Sequence, residues 1–185
     1  MDHRDGGDLP LEELSGGAGP AGPEFSLRPV EAADEPFLRA LYVTTRPDVA
    51  AMLGWPDAER ESFLEGQFQA QLASYRARFP ESDHVLVCAG GEPVGRLWVE
   101  RSASGILIVD VALTPAHRGA GIGTSLLHNL MAEARSADVP IRLSVDKDNP
   151  RAISLYRRLG FRMVAEDEMR VRMEYRPPAS PAASR

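Results

Sequence analysis

A glycine-rich turn between an apolar stretch and a helical stretch constrains this chain more than any other feature. The turn runs Arg118-Gly119-Ala120-Gly121-Ile122-Gly123-Thr124, after the apolar residues 106–113 and before the helical pattern of 125–135. Glycines let the backbone approach a ligand closely. The free N–H groups and the positive dipole end of the following helix then face that ligand. The turn therefore predicts a site for a phosphate or a pyrophosphate.

Two common phosphate-binding patterns do not fit this turn. The P-loop requires a lysine followed by serine or threonine after its last glycine, and this turn has no lysine. The dinucleotide fingerprint requires a third glycine, where the chain has Thr124 or Leu126, depending on which glycine starts the count. A different phosphate-binding family is needed.

A second motif identifies that family. Before the turn stands Val111-Ala112-Leu113-Thr114-Pro115, and about one strand after it stands Asn149-Pro150-Arg151-Ala152-Ile153-Ser154-Leu155-Tyr156-Arg157-Arg158-Leu159-Gly160-Phe161. Together the two motifs resemble the GNAT superfamily of acetyl-CoA-dependent N-acetyltransferases. The resemblance covers roughly residues 25–176, with its specific motifs inside 106–161. It implies acetyl-CoA as co-substrate and an amine-bearing acceptor.

Hydrophobic periodicity predicts an α+β or mixed α/β fold. Helices are predicted at 31–42, 57–79, from the glycine turn to 137, and 149–159. Strands are predicted at 25–30, 84–89, 93–101, 106–113, 141–145, 161–165 and 169–175. The family resemblance implies the finer topology: a central, mostly antiparallel sheet of about seven strands, in the order β-α-α-β-β-β-α-β-α-β-β, whose central strands splay apart.

The resemblance also implies a set of cofactor-binding residues. Main-chain groups of Val111 and Leu113 are expected to pair with the pantetheine arm, and the pyrophosphate is expected at Arg118, Gly119, Ala120, Gly121, Ile122, Gly123 and Thr124. Asn149 is expected to hydrogen-bond the pantetheine arm. The sequence itself predicts another role for Asn149, as the N-cap of a helix with Pro150 at the first helical position.

Two residues are the catalytic candidates. The resemblance places Tyr156 near the CoA sulfur, where its O–H could protonate the departing thiolate; the alternative is a half-buried tyrosine that only packs. Asp110 is an acid within an apolar strand, and carboxylates are costly to bury there. It is a candidate base, with an ion pair to an arginine or acceptor recognition as alternatives. Simple alternation places it on the face opposite Val109 and Val111.

The acceptor is not identified by the sequence. The first two helices and the segment 46–57 are expected to line its site, with Tyr42, Arg46, Trp55, Glu65 and Tyr75 as candidates. Arg96 and Trp98 are further candidates in the third strand. The net charge of −6 argues against nucleic-acid binding and agrees with a cationic amine acceptor. Three alternatives stay open: a non-catalytic acyl-CoA sensor of the same fold, an acyltransferase for a larger acyl group, and a nucleotide-binding domain.

Composition limits the domain boundaries, the disulfide and metal chemistry, and the membrane association of the chain. Residues 1–24 and 177–185 are rich in Gly, Pro and small polar residues and are predicted to be a disordered leader and tail around one domain, 25–176. The single cysteine, Cys88, excludes an internal disulfide, and the histidines lack metal-site spacing. No apolar run is long enough for a bilayer, so we expect a cytoplasmic protein without a membrane partner. A homodimer is compatible with the resemblance.

Overall fold

Seven strands form one sheet in the order β1-β2-β3-β4-β5-β7-β6. The computed structural model describes residues 23–46, 49 and 52–178. The strands are β1 (Ser26–Pro29), β2 (Asp83–Ala89), β3 (Glu92–Ser102), β4 (Gly105–Leu113), β5 (Ile141–Asp146), β6 (Arg162–Glu166) and β7 (Arg170–Tyr175). The helices are α1 (Glu35–Val43), α2 (Asp57–Arg78), α3 (Ile122–Ala137) and α4 (Pro150–Arg158). The predicted disordered leader and tail lie almost wholly outside the described residues.

The predicted fold class and element order are confirmed. Every neighbouring pair of strands is antiparallel except β4 and β5, which are parallel. The predicted first helix begins later than expected, because a single 3-10 turn at Ala32–Asp34 precedes α1. The Asp34 carboxylate fixes this turn by accepting two hydrogen bonds from Arg28, at 2.8 and 2.6 Å, and one from the Glu31 N–H at 2.8 Å.

The helices divide between the two faces of the sheet. Helices α1 and α2 cover one face, where Phe68 and Leu72 of α2 pack with Leu38 of α1 and Trp98 of β3. This confirms the predicted apolar stripe of α2. Helices α3 and α4 cover the other face, where the larger core contains Leu126 and Leu130 of α3 and residues from all seven strands except β6. We call these the α1/α2 face and the α3/α4 face.

The central strands β4 and β5 pair over only a short length. The paired residues are Ile106 with Ile141, Leu107 with Arg142, and Ile108 with Leu143. Beyond these pairs β4 continues to Leu113 and β5 continues to Asp146 without a shared ladder. This confirms the predicted splay, and it leaves backbone groups of β4 facing the gap without a strand partner.

A β-bulge changes the facing of residues along β4. Trp98 pairs with Asp110, but its neighbour Val99 pairs with Ile108, so Val109 is an extra residue. The prediction that Val109 shares a face with Val111 is therefore wrong. Val109 packs against the α1/α2 cluster and Val111 packs against the α3/α4 core. The bulge also puts Asp110 on the α1/α2 face, away from the core that holds Ile108.

The described residues lack two features, a membrane-spanning helix and a metal-binding cluster. No helix there is both long enough and apolar enough to cross a bilayer. No group of three or more histidine, cysteine, aspartate or glutamate residues there is arranged to hold a metal ion. Cys88 is buried and has no disulfide partner, as the sequence predicts.

His84 is a half-buried base on the α1/α2 face. Its ring stacks on Trp98, with centroids 4.0 Å apart and planes at 13°. Burial, together with the positive charges of Arg96 and Arg76, lowers the pKa of His84 from 6.5 to about 4. The folded protein therefore holds His84 neutral at a pH where the unfolded chain already binds a proton.

This difference predicts a loss of stability as the pH falls from about 6.5 to 4, because only the unfolded state gains the proton there. His84→Phe keeps an aromatic ring on Trp98 and removes the titration. We expect the fall in unfolding free energy between pH 7 and pH 4 to shrink by on the order of 2 kcal/mol in this variant. Urea unfolding at several pH values measures it, and exposed His128→Gln is the control. Equal acid sensitivity of wild type and His84→Phe would contradict the prediction.

Candidate active site

A cleft of about 550 Å³ opens on the α3/α4 side, where β4 has separated from β5. The end of β4, the glycine turn, the start of α3 and one face of α4 line it. Most of the predicted site residues lie on its wall: Val111, Leu113, Arg118, Gly119, Gly121, Gly123, Thr124, Asn149 and Tyr156. Three do not: Ala120, Ile122, whose side chain is buried in the core, and Asp110.

The glycine turn needs two of its glycines for backbone reasons. Gly119 and Gly121 have φ of 83° and 91°, a left-handed conformation that costs other residues energy. A Cβ on Gly119 would also lie 2.8 Å from Nη2 of Arg151. A Cβ on Gly123 would meet only Leu113 Cδ1, at 3.7 Å. Gly123 therefore leaves open space in the cleft, beside the free N–H groups at the start of α3.

Arg118 ties the cleft to α1. Its Nε donates to the Leu113 carbonyl at 2.8 Å, and its Nη2 donates to the carbonyl and Oγ1 of Thr44, at 3.1 and 2.9 Å. The side chain thus joins the end of β4 to the residue that follows α1. Its predicted contact with a phosphate stays a prediction, since the guanidinium already has these partners.

Two further arginines line the cleft that sequence reasoning did not single out. Arg151 and Arg158 lie two turns apart on the same face of α4, with Ser154 between them. Arg158 Nη1 donates to Ser154 Oγ at 3.2 Å, whereas Arg151 has no hydrogen-bond or ion-pair partner in the described part of the chain. Their seven-residue spacing in the sequence was the signal that could have placed both arginines on one face of the helix. With Arg118, these residues make the wall positively charged and suited to a polyphosphate.

Asn149 caps α4, as the sequence predicts. Its Oδ1 accepts a hydrogen bond from the Ala152 N–H at 3.1 Å, and Pro150 follows at the first helical position. The side-chain amide nitrogen, Nδ2, has no partner within the residues described. It can therefore donate to a molecule in the cleft while the oxygen holds the cap.

Tyr156 brings a protonated phenol to the cleft. The residue is 7% exposed, and its ring packs against Phe161 with centroids 5.6 Å apart. Burial, with a smaller contribution from the charge of Asp110, raises the pKa of Tyr156 to about 12. The hydroxyl makes no hydrogen bond to any described residue. It keeps its proton at neutral pH and can donate it within the cleft.

Asp110 lies on the opposite face of the sheet from this cleft. Its Oδ2 accepts from Nε of Arg96 at 2.5 Å, so an ion pair to an arginine, one of the two alternatives weighed above, is present. The side chain is nevertheless 25% exposed. Its charge raises the pKa of both Tyr156 and Tyr75. Asp110 is therefore close enough to act on groups at the splay from the α1/α2 side.

The residues predicted to line the acceptor site differ in how much of their side chains is exposed. Tyr42 and Trp98 are 2% exposed and Arg96 is 1% exposed, so these side chains offer almost no surface to a substrate. Tyr75 is half-buried, packs edge-on against Trp98 at 5.2 Å and has a raised pKa, because burial disfavours its phenolate. Trp55 is exposed and packs on Phe63 at 5.5 Å. The α1/α2 side of the splay thus offers Tyr75 and Asp110.

Comparison with known proteins gives consistent matches. Residues 39–161 match the model of the Acetyltransferase (GNAT) family, and this range contains both sequence motifs in full. The N-alpha-acetyltransferase RimI of Mycobacterium tuberculosis is 32% identical over 136 residues, which are 65% of this chain and 82% of that protein. A mycothiol acetyltransferase of Corynebacterium glutamicum is 34% identical over 106 residues, but the match spans only 34% of that longer protein.

The fold has close counterparts among solved structures. The PaiA N-acetyltransferase of Thermoplasma acidophilum, solved in complex with coenzyme A, superposes with a TM-score of 0.60. The superposition covers 83% of this chain and 99% of that one, at 16% sequence identity. At this identity the likeness concerns the fold.

The geometry of the turn predicts that Gly121 governs CoA affinity. Gly121→Glu adds a negative charge to the cleft wall at a left-handed residue, and its Cβ would lie 3.3 Å from Cδ of Pro23. We expect CoA affinity to fall at least tenfold, about 1.4 kcal/mol. Calorimetric titration measures it. Gly90→Glu is the matched control, since Gly90 has φ of 60° and nothing within 4 Å of its Cβ. Unchanged affinity in a folded Gly121→Glu protein would remove the assignment of this turn.

Proposed function

Because the chain belongs to the GNAT family of acetyltransferases, we propose that it transfers the acetyl group of acetyl-CoA to the α-amino group of a peptide. The protein is an acyl-CoA-dependent N-acetyltransferase, and acetyl-CoA is its co-substrate. The peptide acceptor is the finer part of the proposal. It draws on the N-alpha-acetyltransferase of Mycobacterium tuberculosis, most of whose length this chain matches.

The observation that carries the catalytic proposal is the position of Tyr156. Its unpartnered hydroxyl lies in the same cleft as the glycine turn and the open edge of β4. A pyrophosphate at the turn, near Arg151, leaves the pantetheine arm to run along β4 past Val111 and the Asn149 amide. Such an arm would complete backbone hydrogen bonds that β5 does not supply. The thioester end would then reach Tyr156.

The proposed reaction is a direct transfer. The acceptor nitrogen attacks the acetyl carbonyl carbon, a C–N bond forms, and the C–S bond breaks. Backbone N–H groups of β4 that face the gap stabilise the negative charge on the carbonyl oxygen. The Tyr156 hydroxyl gives its proton to the departing thiolate, and its raised pKa keeps that proton available at neutral pH. The proton lost by the nitrogen goes to Asp110, directly or through water.

The two proposed catalytic groups lie on opposite faces of one sheet. Tyr156 belongs to the α3/α4 face, and Asp110 faces Arg96 on the α1/α2 face. The splay between β4 and β5 opens between them. This arrangement supports entry of the two substrates from opposite sides, with acetyl-CoA on the α3/α4 side and the amine on the α1/α2 side.

Tyr156→Phe tests the role of the hydroxyl. The ring remains, so helix packing and CoA affinity should change little. We expect kcat to fall by about 10²–10⁴-fold, the usual size of general-acid assistance, because the interaction is made mainly in the transition state. Steady-state kinetics and calorimetric CoA binding separate the two effects. An unchanged kcat, in conditions where acetyl transfer is rate-limiting, would refute the acid role.

An acceptor panel tests the peptide assignment. Hexapeptides with free α-amino groups should release CoA from acetyl-CoA, and the same peptides acetylated at the α-amino group but carrying lysine should not. Polyamines, aminoglycosides and amino sugars complete the panel, with succinyl-CoA as the larger donor. CoA release with a small amine alone would replace the peptide as the acceptor. Absence of CoA release with every amine, despite tight CoA binding, would favour a non-catalytic sensor. Preferential binding of ATP or NAD would favour a nucleotide-binding domain.

A further inference from the structure

Arg96 is a charged residue in an unusual place. It lies on the inner surface of β3 between the sheet and α2, and it is 1% exposed. Burying a guanidinium costs several kcal/mol, which a partner offsets only with good geometry. Asp110 is the carboxylate that pairs with it. One guanidinium nitrogen, Nη1, is buried and has no hydrogen-bond partner in the described part of the chain. Hydrophobic residues of similar size would suit stability at this place at least as well.

The surrounding contacts hold Arg96 in one orientation. Its Nε donates to Asp110 Oδ2 at 2.5 Å, and its Nη2 donates to Gln71 Oε1 of α2 at 2.8 Å. Arg96 stands opposite Ala112 in the ladder, so it reaches diagonally to Asp110 across the bulged strand. The network therefore fixes the Asp110 carboxylate at the splayed end of β4.

The other oxygen of this carboxylate is available. Asp110 Oδ1 makes no hydrogen bond to the described residues, and the side chain is partly open to solvent. Arg96 of β3 contacts Asp110 directly, and the charge of Asp110 also acts on Tyr75 of α2 from the same side of the sheet and on Tyr156 of α4 from the other side. The charges of Asp146 and Arg170, which form an ion pair of 2.8 Å at the ends of β5 and β7, also act on Tyr75. Arg96 is thus the positive charge in direct contact with Asp110.

We propose that Arg96, anchored by Gln71, is a positioning residue that fixes the Asp110 carboxylate and holds its Oδ1 toward the amine of the acceptor. The proposal rests on the proposed function, since it places the acceptor on the α1/α2 side of the splay. Arg96 does not itself touch the substrate. It acts through Asp110, which offers a fixed negative charge to an incoming amine.

The first test needs no acceptor. Protein labelled with ¹³C at aspartate carboxyl groups is observed by NMR at neutral pH, and the Asp110 signal is identified by its absence in Asp110→Asn. In Arg96→Met the signal should change its chemical shift and line width, because the hydrogen bond from Nε that holds the carboxylate is lost. The control is Arg101→Met on the same strand, which breaks the ion pairs of Arg101 with Glu133 and Asp83. It should leave the Asp110 signal unmoved.

An unchanged Asp110 signal in Arg96→Met would overturn the proposal, and so would an equal change in Arg101→Met. Arg96→Gln replaces Arg96→Met if the methionine variant does not fold, with the same expected change. Gln71→Met is a second variant. It leaves the charge in place and removes the anchor, so the Asp110 signal should change less than in Arg96→Met while the KM for an acceptor rises.

The second test uses an alanine-first hexapeptide as acceptor. In Arg96→Met the KM for the peptide should rise more than kcat falls. If Arg96 acts only through Asp110, the double variant Arg96→Met, Asp110→Asn should match Asp110→Asn in kcat/KM. Additive losses would contradict this. If wild type does not acetylate the peptide, the proposed acceptor fails, and the NMR signal of Asp110 alone decides the role of Arg96.

Discussion

The site depends on where the pairing of β4 and β5 stops. Three residue pairs hold these parallel strands together, and the last joins Ile108 to Leu143. Had the ladder continued, the backbone groups of β4 that face β5 would be satisfied within the sheet and no cleft would open there. Because it stops, the chain keeps an unsatisfied strand edge beside a helix N-terminus. Both features suit one extended, anionic ligand with amide groups.

The same gap connects two environments of different chemistry. On the α3/α4 face, apolar packing around Tyr156 holds its phenol in the neutral form. On the α1/α2 face, Arg96 and Gln71 surround a carboxylate. Burial disfavours the charged form of the Tyr156 phenol, whereas the Asp110 carboxylate is ion-paired and partly open to solvent. The phenol and the carboxylate therefore lie on opposite faces of the sheet, each in its own surroundings.

The parts of the site that depend on local interactions could be predicted from sequence. Gly119 and Gly121 are needed by their own backbone conformations, and Asn149 caps the helix that starts at the next residue. The parts that depend on contacts between distant segments could not be predicted. The facing of Asp110 depends on the bulge, which is set by how β4 pairs with β3. The burial of Arg96 depends on α2 lying over β3, and the late start of α1 depends on Arg28 reaching Asp34 from β1.

The bulge at Val109 also makes the length of β4 a determinant of charge placement. Ile106 and Ile108 before it, and Val111 and Leu113 after it, all point to the same core although the numbering changes from even to odd. If the same residues paired regularly, without the bulge, strict alternation would put Asp110 in line with Ile108, inside an apolar core and away from Arg96. The carboxylate stays on the side of Trp98 because the pairing with β3 skips Val109. In this strand, the placement of the charge depends on how the residues pair as much as on which residues they are.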